Sequence, residues 1–487
     1  MIKTWLSQTS MYRLMIYYLG ALLLAGMALS MFGILPYVWW HIGFDFAILW
    51  LSCALTSWLC AKIFRTQRNP ESELITALIL ALIVGPLDPL IYSNLLLLAG
   101  VGAISQASKY LLAINKKHIF NPAAVAVLLA ALFLHQGASW WVGDRHLLWI
   151  MVIGGALILH KLRWFHLSLS FLIPYLAVLT AQQGWRLDYL AILSPLLFFS
   201  TVMLIEPLTS PTGRRKRILY GVCTALILAG LINYSSLPYT LELALIIANF
   251  AFWWTKIKQR IILKFINKEP GAKDIYKFWF EPLKKFSFRP GQFLQWTLPH
   301  SRADDRGTRR WFTIASSPTE EKVLLTTKFS DRSSTFKQAL RELKPGAEIA
   351  TSDPDGDFIL PIDPTMKLVF IAGGIGITPY RSMIKYLLDT KQSRDIIIIY
   401  AAKTAEEFSF KELLAQATEI GLNTIYIQTE KTGFITPEMI KKEIPDWAQR
   451  TFYISGPEPM VEAYEKMLKE TGIKDAGIRT DFFPGYE

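Results

Sequence analysis

Residues 371 to 379 read Ile-Ala-Gly-Gly-Ile-Gly-Ile-Thr-Pro and combine residue types that suit phosphate binding. The stretch contains three glycines and a threonine–proline pair: Gly373, Gly374, Gly376, Thr378 and Pro379. Glycines without side chains let a ligand approach the backbone closely, and the Thr-Pro pair is typical of a helix start. Such a turn between an apolar strand and a helix directs N–H groups at a phosphate. It predicts a site for the pyrophosphate of NAD(P)H.

The elements that must position this turn are buried strands. Between residues 363 and 487, four apolar runs (367–372, 395–402, 423–428 and 451–456) alternate with helical segments. This alternation predicts a parallel α/β sheet, in which ligands bind at the carboxyl ends of the strands. Lys403 follows the second run, where the adenosine ribose would lie. It is either a contact to the 2′-phosphate of NADPH or a solvated lysine, so NADH and NADPH both stay open.

A second folded region is predicted from 261 to 362. Runs such as Ile-Leu-Lys-Phe-Ile and Phe-Leu-Gln-Trp-Thr-Leu alternate with turn signals, which is typical of a small β-barrel. The barrel contains Arg-Pro-Gly-Gln-Phe at 289–293 and Arg-Trp-Phe-Thr at 310–313. Taken in this order before the glycine turn, these motifs resemble the ferredoxin–NADP reductase family across residues 261–487.

That resemblance assigns roles in FAD binding to the second motif. It implies that Arg310 binds the FAD pyrophosphate, whose oxygens match a guanidinium fork. Phe312 would pack on the isoalloxazine, and Thr313 would hydrogen-bond flavin N5. In the segment Ser-Ser-Thr before a helix, Ser334 and Thr335 would contact the FAD phosphates.

The same resemblance assigns the nicotinamide side. Residues 455–457, Ser-Gly-Pro, stand where the family has Cys-Gly-Pro. It implies that Ser455 lies near the nicotinamide, with Gly456 and Pro457 beside the nucleotide. Among the last residues, Phe483 matches best the aromatic that shields the flavin, and Tyr486 is second.

The first 260 residues differ in composition from the rest of the chain, because they consist largely of apolar runs. Ten apolar runs suited to membrane helices lie at 12–34, 45–62, 73–85, 90–107, 121–135, 146–160, 167–182, 188–205, 217–233 and 238–255. Seventeen Lys and Arg residues fall on one side of these runs, and only Arg145 and Arg186 fall on the other. The positive-inside rule then predicts a multi-pass protein of the cell (inner) membrane, with the N-terminus and the reductase-like part cytoplasmic.

Short and proline-broken runs hint at internal symmetry. The runs 73–85 and 121–135 are shorter than the ~20 residues of an ordinary span. Proline-rich loops at 85–89 and 206–211 follow runs that are five apart in the series. Because five is odd, the two halves would form an inverted 5+5 repeat.

Composition limits the other functions. The chain of 487 residues has a formal net charge of +12 and is 52% hydrophobic, with many basic residues lying between apolar runs. This distribution indicates membrane topology, not nucleic-acid binding. Cys53, Cys60 and Cys223 all lie in apolar segments without a Cys-x-x-Cys pair, so we expect no cysteine-ligated metal site.

Two segments of the helical half carry a second resemblance. Residues 118–126, His-Ile-Phe-Asn-Pro-Ala-Ala-Val-Ala, and the segment starting Glu-Pro-Leu-Thr-Ser-Pro-Thr at 206 resemble the membrane flavin subunits of the sodium-pumping NADH:quinone oxidoreductase and the Rnf complex. Ser139 stands where those subunits have a flavin-bound threonine. The resemblance therefore implies a non-covalent flavin (FMN or riboflavin) or a quinone near the cytoplasmic face. The candidate residues are Asn121, Thr209, Ser210 and Thr212; for Asn121, helix capping explains the residue equally well.

The sequence thus predicts a membrane-bound flavoprotein oxidoreductase that passes electrons from NAD(P)H through FAD to a flavin or quinone in the helical half. One alternative is a haem-containing reductase like the NADPH oxidases and ferric reductases, for which His146 and His160 are suitably spaced and His118 and His135 are not. Another is a redox-driven ion transporter, which intramembrane acids would support. Asp45, Asp88, Asp144, Asp188 and Glu206 were placed by the sequence near membrane edges.

Overall fold

The computed structural model describes residues 9–483 apart from nine short gaps. The gaps are 65, 67, 115–116, 185–188, 233–239, 255–260, 301–302, 305–306 and 331–332, and the side chains of 117, 183, 189–192, 482 and 483 are also outside the description. Contacts divide the chain into a helical unit, Thr9–Arg260, and a C-terminal unit that contains Ile261–Glu487.

Ten α-helices lie in the described part of the helical unit, at the positions of the ten predicted runs. They are α1 (Met11–Met31), α2 (Trp39–Ile63), α3 (Pro70–Val84), α4 (Tyr92–Leu111), α5 (Pro122–Leu134), α6 (Leu148–Leu162), α7 (Phe165–Gln183), α8 (Tyr189–Phe198), α9 (Arg214–Ile232) and α10 (Thr240–Trp253). A two-stranded hairpin, β1 (Ala113–Ile114) and β2 (Lys117–His118), precedes α5, and a π-helical turn at Phe199–Met203 extends α8.

Among the residues that the structure describes, four helices are long and apolar enough to cross a membrane: Met11–Met31, Trp39–Ile63, Arg145–Leu162 and Phe165–Gln182. These are four of the ten predicted spans, and the ten-span bundle stays a prediction. Several apolar runs form helices that are too short for a bilayer core of about 30 Å, because a helix rises only ~1.5 Å per residue. The 15 residues of α3 and the 13 of α5 are examples. The inverted 5+5 repeat stays a prediction.

The C-terminal unit begins with an antiparallel barrel. Its strands are β3 (Ile261–Pro270), β4 (Ile275–Pro282), β5 (Phe293–Thr297), β6 (Arg309–Thr313), β7 (Val323–Lys328) and β8 (Glu348–Thr351), with helix α11 (Thr335–Arg341). The sheet order is β6-β5-β8-β3-β4-β7, and the N–H of Ala315, just after β6, donates to the carbonyl of Leu324 in β7 at 2.9 Å. This last bond draws the two outer strands together and supports the predicted barrel.

A five-stranded parallel sheet follows the barrel. Its strands are β9 (Leu368–Gly373), β10 (Ile396–Ala402), β11 (Leu422–Gln428), β12 (Thr451–Pro457) and β13 (Ile478–Phe483), in the order β11-β10-β9-β12-β13. The helices are α12 (Thr378–Asp389), α13 (Lys411–Gln416), α14 (Thr429–Thr432), α15 (Pro437–Glu443) and α16 (Glu458–Glu470). The predicted parallel α/β sheet is confirmed, and its four predicted strands are joined by a fifth, β13.

Candidate active site

Residues from four strands meet at one edge of the parallel sheet. The glycine turn follows β9, Lys403 follows β10, Ser455–Pro457 ends β12, and Phe483 ends β13. Neighbouring strands bring these positions side by side, and Pro457 is the register partner of Phe483. Lys403 is exposed. Only the backbone of Phe483 is described, and Tyr486 lies outside the described residues, so their aromatic roles stay predictions.

The glycine turn is shaped by packing as well as by access to a ligand. A Cβ on Gly376 would collide with the carbonyl oxygen of Ser455, and a Cβ on Gly373 would collide with the sulfur of Met460. Gly374 has φ +53°, and the space around its Cβ position is open. Gly376 and Gly373 thus admit a neighbouring strand and helix, and Gly374 faces open space; that the three glycines let a ligand approach the backbone stays a prediction.

Helix α12 begins directly after this turn. The Thr378 hydroxyl donates to the carbonyl of Ile375 at 3.1 Å, and Pro379 occupies the first turn. The hydroxyl of Tyr380 donates to the carbonyls of Ile371 and Tyr453, at 3.2 and 2.8 Å. Burial raises the pKa of Tyr380, so the phenol stays neutral and joins α12 to β9 and β12.

Two buried hydroxyls, one at this edge and one at the end of β6 in the barrel, lack a hydrogen-bonding partner among the residues that the structure describes. The side chain of Ser455 is fully buried and that of Thr313, at the end of β6, is 4% exposed. Neither Oγ of Ser455 nor Oγ1 of Thr313 has a partner in the described parts of the chain. Other buried polar atoms share this property, but these two are the residues predicted to face the nicotinamide and flavin N5.

The predicted phosphate ligands of FAD converge on a carboxylate that the sequence analysis missed. Nη2 of the buried Arg310 lies 3.4 Å from Oδ1 of Asp304. The backbone N–H of Thr335 donates to Oδ2 of the same carboxylate at 3.0 Å. Arg310 and Thr335 therefore bind one anionic group together, which is the chemistry that a pyrophosphate requires. The only sign of this carboxylate in the sequence was an Asp-Asp pair that begins at Asp304, six residues before Arg310.

The remaining flavin candidates lie close by. Ser334 is buried and caps α11 by accepting from the N–H of Lys337 at 3.4 Å. Phe312 is half-buried, and its ring lies 5.8 Å from that of Phe336, between centroids. Because side chains alternate along β6, Arg310 and Phe312 point to one face and Thr313 points to the other. The strand can thus offer different groups to different parts of one ligand.

In the helical unit, the two predicted segments meet. Asn121 caps α5 by accepting from the N–H of Ala124 at 3.1 Å, and its Nδ2 donates to the carbonyl of Met203 at 3.3 Å. Its backbone N–H donates to Oδ1 of Asn249 at 3.0 Å, and Nδ2 of Asn249 donates to the Tyr220 hydroxyl at 2.7 Å. Asn121 therefore joins α5, α10 and the end of α8, as helix capping predicted.

Two other candidate residues of this unit, Thr209 and Ser210, hydrogen-bond to Glu206. Its Oε1 lies 3.1 Å from Nε2 of His118, and the Thr209 hydroxyl donates to its Oε2 at 3.1 Å. The Ser210 hydroxyl donates to its backbone carbonyl at 2.8 Å. Thr212 is half-buried. We call the set Asn121, Asn249, Tyr220, His118, Glu206, Thr209 and Ser210 the polar helical cluster.

Two buried acids in the helices were missed by the sequence analysis. Glu73, in α3, accepts from Ser57 at 2.7 Å and pairs with Arg68. Glu242, in α10, accepts from Nε1 of Trp140 at 3.0 Å. Asp45 is buried as well and accepts from the N–H of Leu87 at 2.7 Å. No group of three or more His, Cys, Asp or Glu side chains suited to a metal occurs in the part of the chain that the structure describes.

Comparison with known proteins identifies the class of the C-terminal unit. Residues 370–466 match the family model described as the oxidoreductase NAD-binding domain. The chain is 29% identical over 197 residues to an NADPH oxidoreductase of Mycobacterium tuberculosis, covering 39% of this chain and 51% of that protein. It is 24% identical over 233 residues to the glycine betaine monooxygenase reductase subunit of Chromohalobacter salexigens, covering 45% and 62%.

A flavohemoprotein of Bacillus anthracis is 24% identical over 249 residues, covering 47% of this chain and 61% of that protein. The ferredoxin-NADP+ reductase of Plasmodium falciparum aligns with 47% of the chain and 97% of its own, at 18% identity and a TM-score of 0.41. The chain spans between 51% and 62% of the length of these three curated relatives. The C-terminal unit thus contains an oxidoreductase NAD-binding domain, and its sequence is similar to those of several reductases.

Proposed function

We propose that this protein is a membrane-bound flavoprotein that oxidises NAD(P)H and passes the electrons to an acceptor in its helical unit. The observation that carries the reductase role is a pair of buried hydroxyls, Thr313 and Ser455, that have no partner among the described residues, in a unit whose residues 370–466 match the oxidoreductase NAD-binding domain. A buried hydroxyl without a partner costs about 1–3 kcal/mol, and a ligand atom at each position would remove that cost.

Each residue has a task in binding and orienting two nucleotides. Arg310 and the Thr335 amide bind the carboxylate of Asp304 in this structure. The FAD pyrophosphate would replace that carboxylate and bind to the same two groups. Thr313 offers its hydroxyl to the flavin ring, and Ser455 offers its own to the nicotinamide. Gly374, with open space around it, lets the nucleotide pyrophosphate reach the backbone. FAD, when bound, takes two electrons from NAD(P)H and can release them singly.

The acceptor is proposed to be a second, non-covalent flavin (FMN or riboflavin) or a quinone beside the polar helical cluster. Support comes from the meeting of the two predicted segments, through His118 with Glu206 and Asn121 with Met203. The four long apolar helices support an integral membrane protein, and the basic side of the helical unit supports a cytoplasmic reductase module in the cell (inner) membrane.

The test uses the full chain, purified in detergent and supplied with FAD. Wild type is expected to bind FAD and to oxidise NADH or NADPH with ferricyanide as acceptor. Thr313→Val is expected to lower that rate about 10- to 100-fold, because it removes one hydrogen bond at the flavin, whereas Thr313→Ser keeps the hydroxyl and most of the rate. A wild-type chain that stays colourless and does not oxidise either nucleotide would overturn the proposal.

Redox-linked ion transport is a second candidate, because three acids are buried within helical segments. Asp45, Glu73 and Glu242 are each about 2% exposed, and ionisable groups inside membrane helices usually serve ion or proton movement. Vesicles that contain the protein and are fed NAD(P)H should then take up protons or sodium. Electron transfer without any uptake would exclude this candidate and leave the reductase intact.

A further inference from the structure

Helix α12 reaches from the parallel sheet to the barrel through one ion pair. The guanidinium of Arg381 binds both carboxylate oxygens of Glu320, in the loop after β6, with Nη2 2.9 Å from Oε1 and Nη1 on Oε2. Nη1 also donates to the carbonyl of Ala315 at 3.1 Å. Arg381 is 8% exposed, so this bidentate pair is shielded from solvent. Such a pair fixes direction as well as distance.

Further contacts seat the same face of α12 on the barrel. The fully buried hydroxyl of Ser382 donates to the carbonyl of Ser316 at 2.6 Å. The Thr319 hydroxyl donates to Oδ2 of Asp389, at the end of α12, at 2.5 Å. The polar groups of the barrel that Arg381, Ser382 and Asp389 contact therefore belong to one short stretch, residues 315–320.

This stretch and this helix connect the strands that carry the two buried hydroxyls. Ala315 and Ser316 follow Thr313 by two and three residues, without an intervening element. At the other end, the turn that starts α12 packs on Ser455, since a Cβ at Gly376 would collide with the Ser455 carbonyl. A rigid path of helix and hydrogen bonds thus joins the end of β6 to the end of β12.

We propose that Arg381, through Glu320 and Ala315, is a positioning residue that sets the separation between the flavin side and the nicotinamide side of the site. This inference rests on the proposed reductase function. It predicts a role for a residue that touches neither nucleotide. Reacting atoms must approach within about 3–3.5 Å, and a displacement of ~1 Å costs on the order of 100-fold in rate.

The test compares Arg381→Met with Arg450→Met in the full chain. Arg450 is also 8% exposed and is bidentate to Asp395, at 2.7 and 3.1 Å, but its partners Asp395, Asp446 and Leu368 all lie outside the barrel. We expect Arg381→Met to keep FAD content and the KM for NAD(P)H, while flavin bleaching by NAD(P)H under anaerobic conditions slows about 100-fold. Arg450→Met should bleach at the wild-type rate.

A second readout needs no cofactor. Spin labels at Lys284→Cys in the barrel and Lys466→Cys in α16, in a background with the three native cysteines replaced by serine, report the barrel-to-sheet distance. Both lysines are exposed. The distance distribution should be narrow for wild type and Arg450→Met and broad for Arg381→Met. The milder Glu320→Gln covers the case in which Arg381→Met does not fold, and it should show both effects in weaker form.

The outcomes separate the two proposals. Wild type that is never bleached by NAD(P)H overturns the proposed function. Wild type that is bleached, with Arg381 and Glu320 variants that bleach as fast and keep a narrow distance distribution, overturns the positioning role alone. Equal slowing in Arg381→Met and Arg450→Met also overturns it, because the loss would then follow from stability of the sheet.

Discussion

The polar helical cluster and the edge of the parallel sheet treat buried polar groups in opposite ways. In the cluster, Asn121 alone makes three hydrogen bonds, and Glu206 binds both His118 and Thr209. At the sheet edge, the Ser455 hydroxyl has no partner among the described residues, and the same holds for the Thr313 hydroxyl at the end of β6. We call the cluster closed, because its polar groups hydrogen-bond to one another. We call the other region open, because its hydroxyls can still hydrogen-bond to a ligand.

The contrast teaches where a cofactor binds at low cost. A ligand at the sheet edge gives partners to groups that lack them, so binding recovers the cost of burying those hydroxyls. A flavin or quinone at the helical cluster must instead bind at its rim or replace hydrogen bonds that already exist. We therefore expect the reductase site to bind its cofactor more tightly than the helical cluster binds an acceptor.

The largest expected effect would break the sheet edge itself. Gly376→Ala places a methyl group against the backbone of Ser455, which cannot move without shifting β12. We expect a loss of about 3 kcal/mol or more in the free energy of unfolding, enough to prevent folding of the C-terminal unit. Soluble expression and thermal unfolding of the detergent-purified chain measure this.

Gly374→Ala is the matched control for that change. Its Cβ meets open space, so only the positive φ is penalised, by about 1–2 kcal/mol. The protein should fold, retain FAD and bind NAD(P)H less tightly, because the methyl stands where the nucleotide approaches. If Gly374→Ala unfolds the protein as severely as Gly376→Ala, the turn is built for packing alone, and the contrast between the two regions loses its main support.

A smaller loss of stability is expected from a substitution in the polar helical cluster. Asn121→Ala removes a helix cap and one side-chain hydrogen bond, which together contribute about 2 kcal/mol. Asn69→Ala removes only a cap, through a bond of 3.3 Å to the N–H of Ser72, and should cost about 1 kcal/mol. Circular dichroism on heating compares the two variants.

Cofactor analysis of the same two variants sharpens the comparison. A purely structural cluster predicts identical flavin content in both, in proportion to folded protein. A second flavin bound at the cluster predicts its loss from Asn121→Ala and its retention in Asn69→Ala. That second outcome would mean that a closed hydrogen-bond network can still carry a ligand at its rim.

Regular features of the molecule could be read from the sequence. The four predicted strands of the sheet and the ten helices of the first unit follow from runs of apolar residues, because such runs must be buried in strands or helices. The capping role of Asn121 was visible because Asn-Pro before an apolar run has a local cause. The resemblance to ferredoxin–NADP reductases rested on three motifs in order, and its NAD-binding part agrees with the family model that matches residues 370–466.

Features that depend on tertiary neighbours could not be read in this way. Strand β13 was missed because Arg-Thr-Asp-Phe-Phe gives no clear alternation, and its pairing with β12 decides its state. Asp304 was missed because its partners, Arg310 and Thr335, lie 6 and 31 residues away. The apolar runs located the ten helices without fixing their lengths, so the number of membrane spans stays a prediction.

The smallest expected effect concerns a closed polar group within the reductase module. Nε of Arg450 and Nζ of Lys367 donate to Asp446 at 2.6 and 2.7 Å, and these hydrogen bonds lower the pKa of Asp446 to about 2. A lowered pKa in the folded state adds stability above the ordinary value of 3.8, and that stability is lost as the pH falls through about 2. Because Asp446 is partly exposed, we expect it to contribute only about 1 kcal/mol to the free energy of unfolding.

Chemical unfolding of wild type and Asp446→Asn at pH 6 and pH 2.5 measures this contribution. The difference in free energy of unfolding between the two proteins should be present at pH 6 and shrink at pH 2.5, and the flavin content at pH 6 should be unchanged. A difference that persists at pH 2.5, or a loss of flavin at pH 6, would show that a closed group in this module also serves the site, which would weaken the separation between closed and open regions.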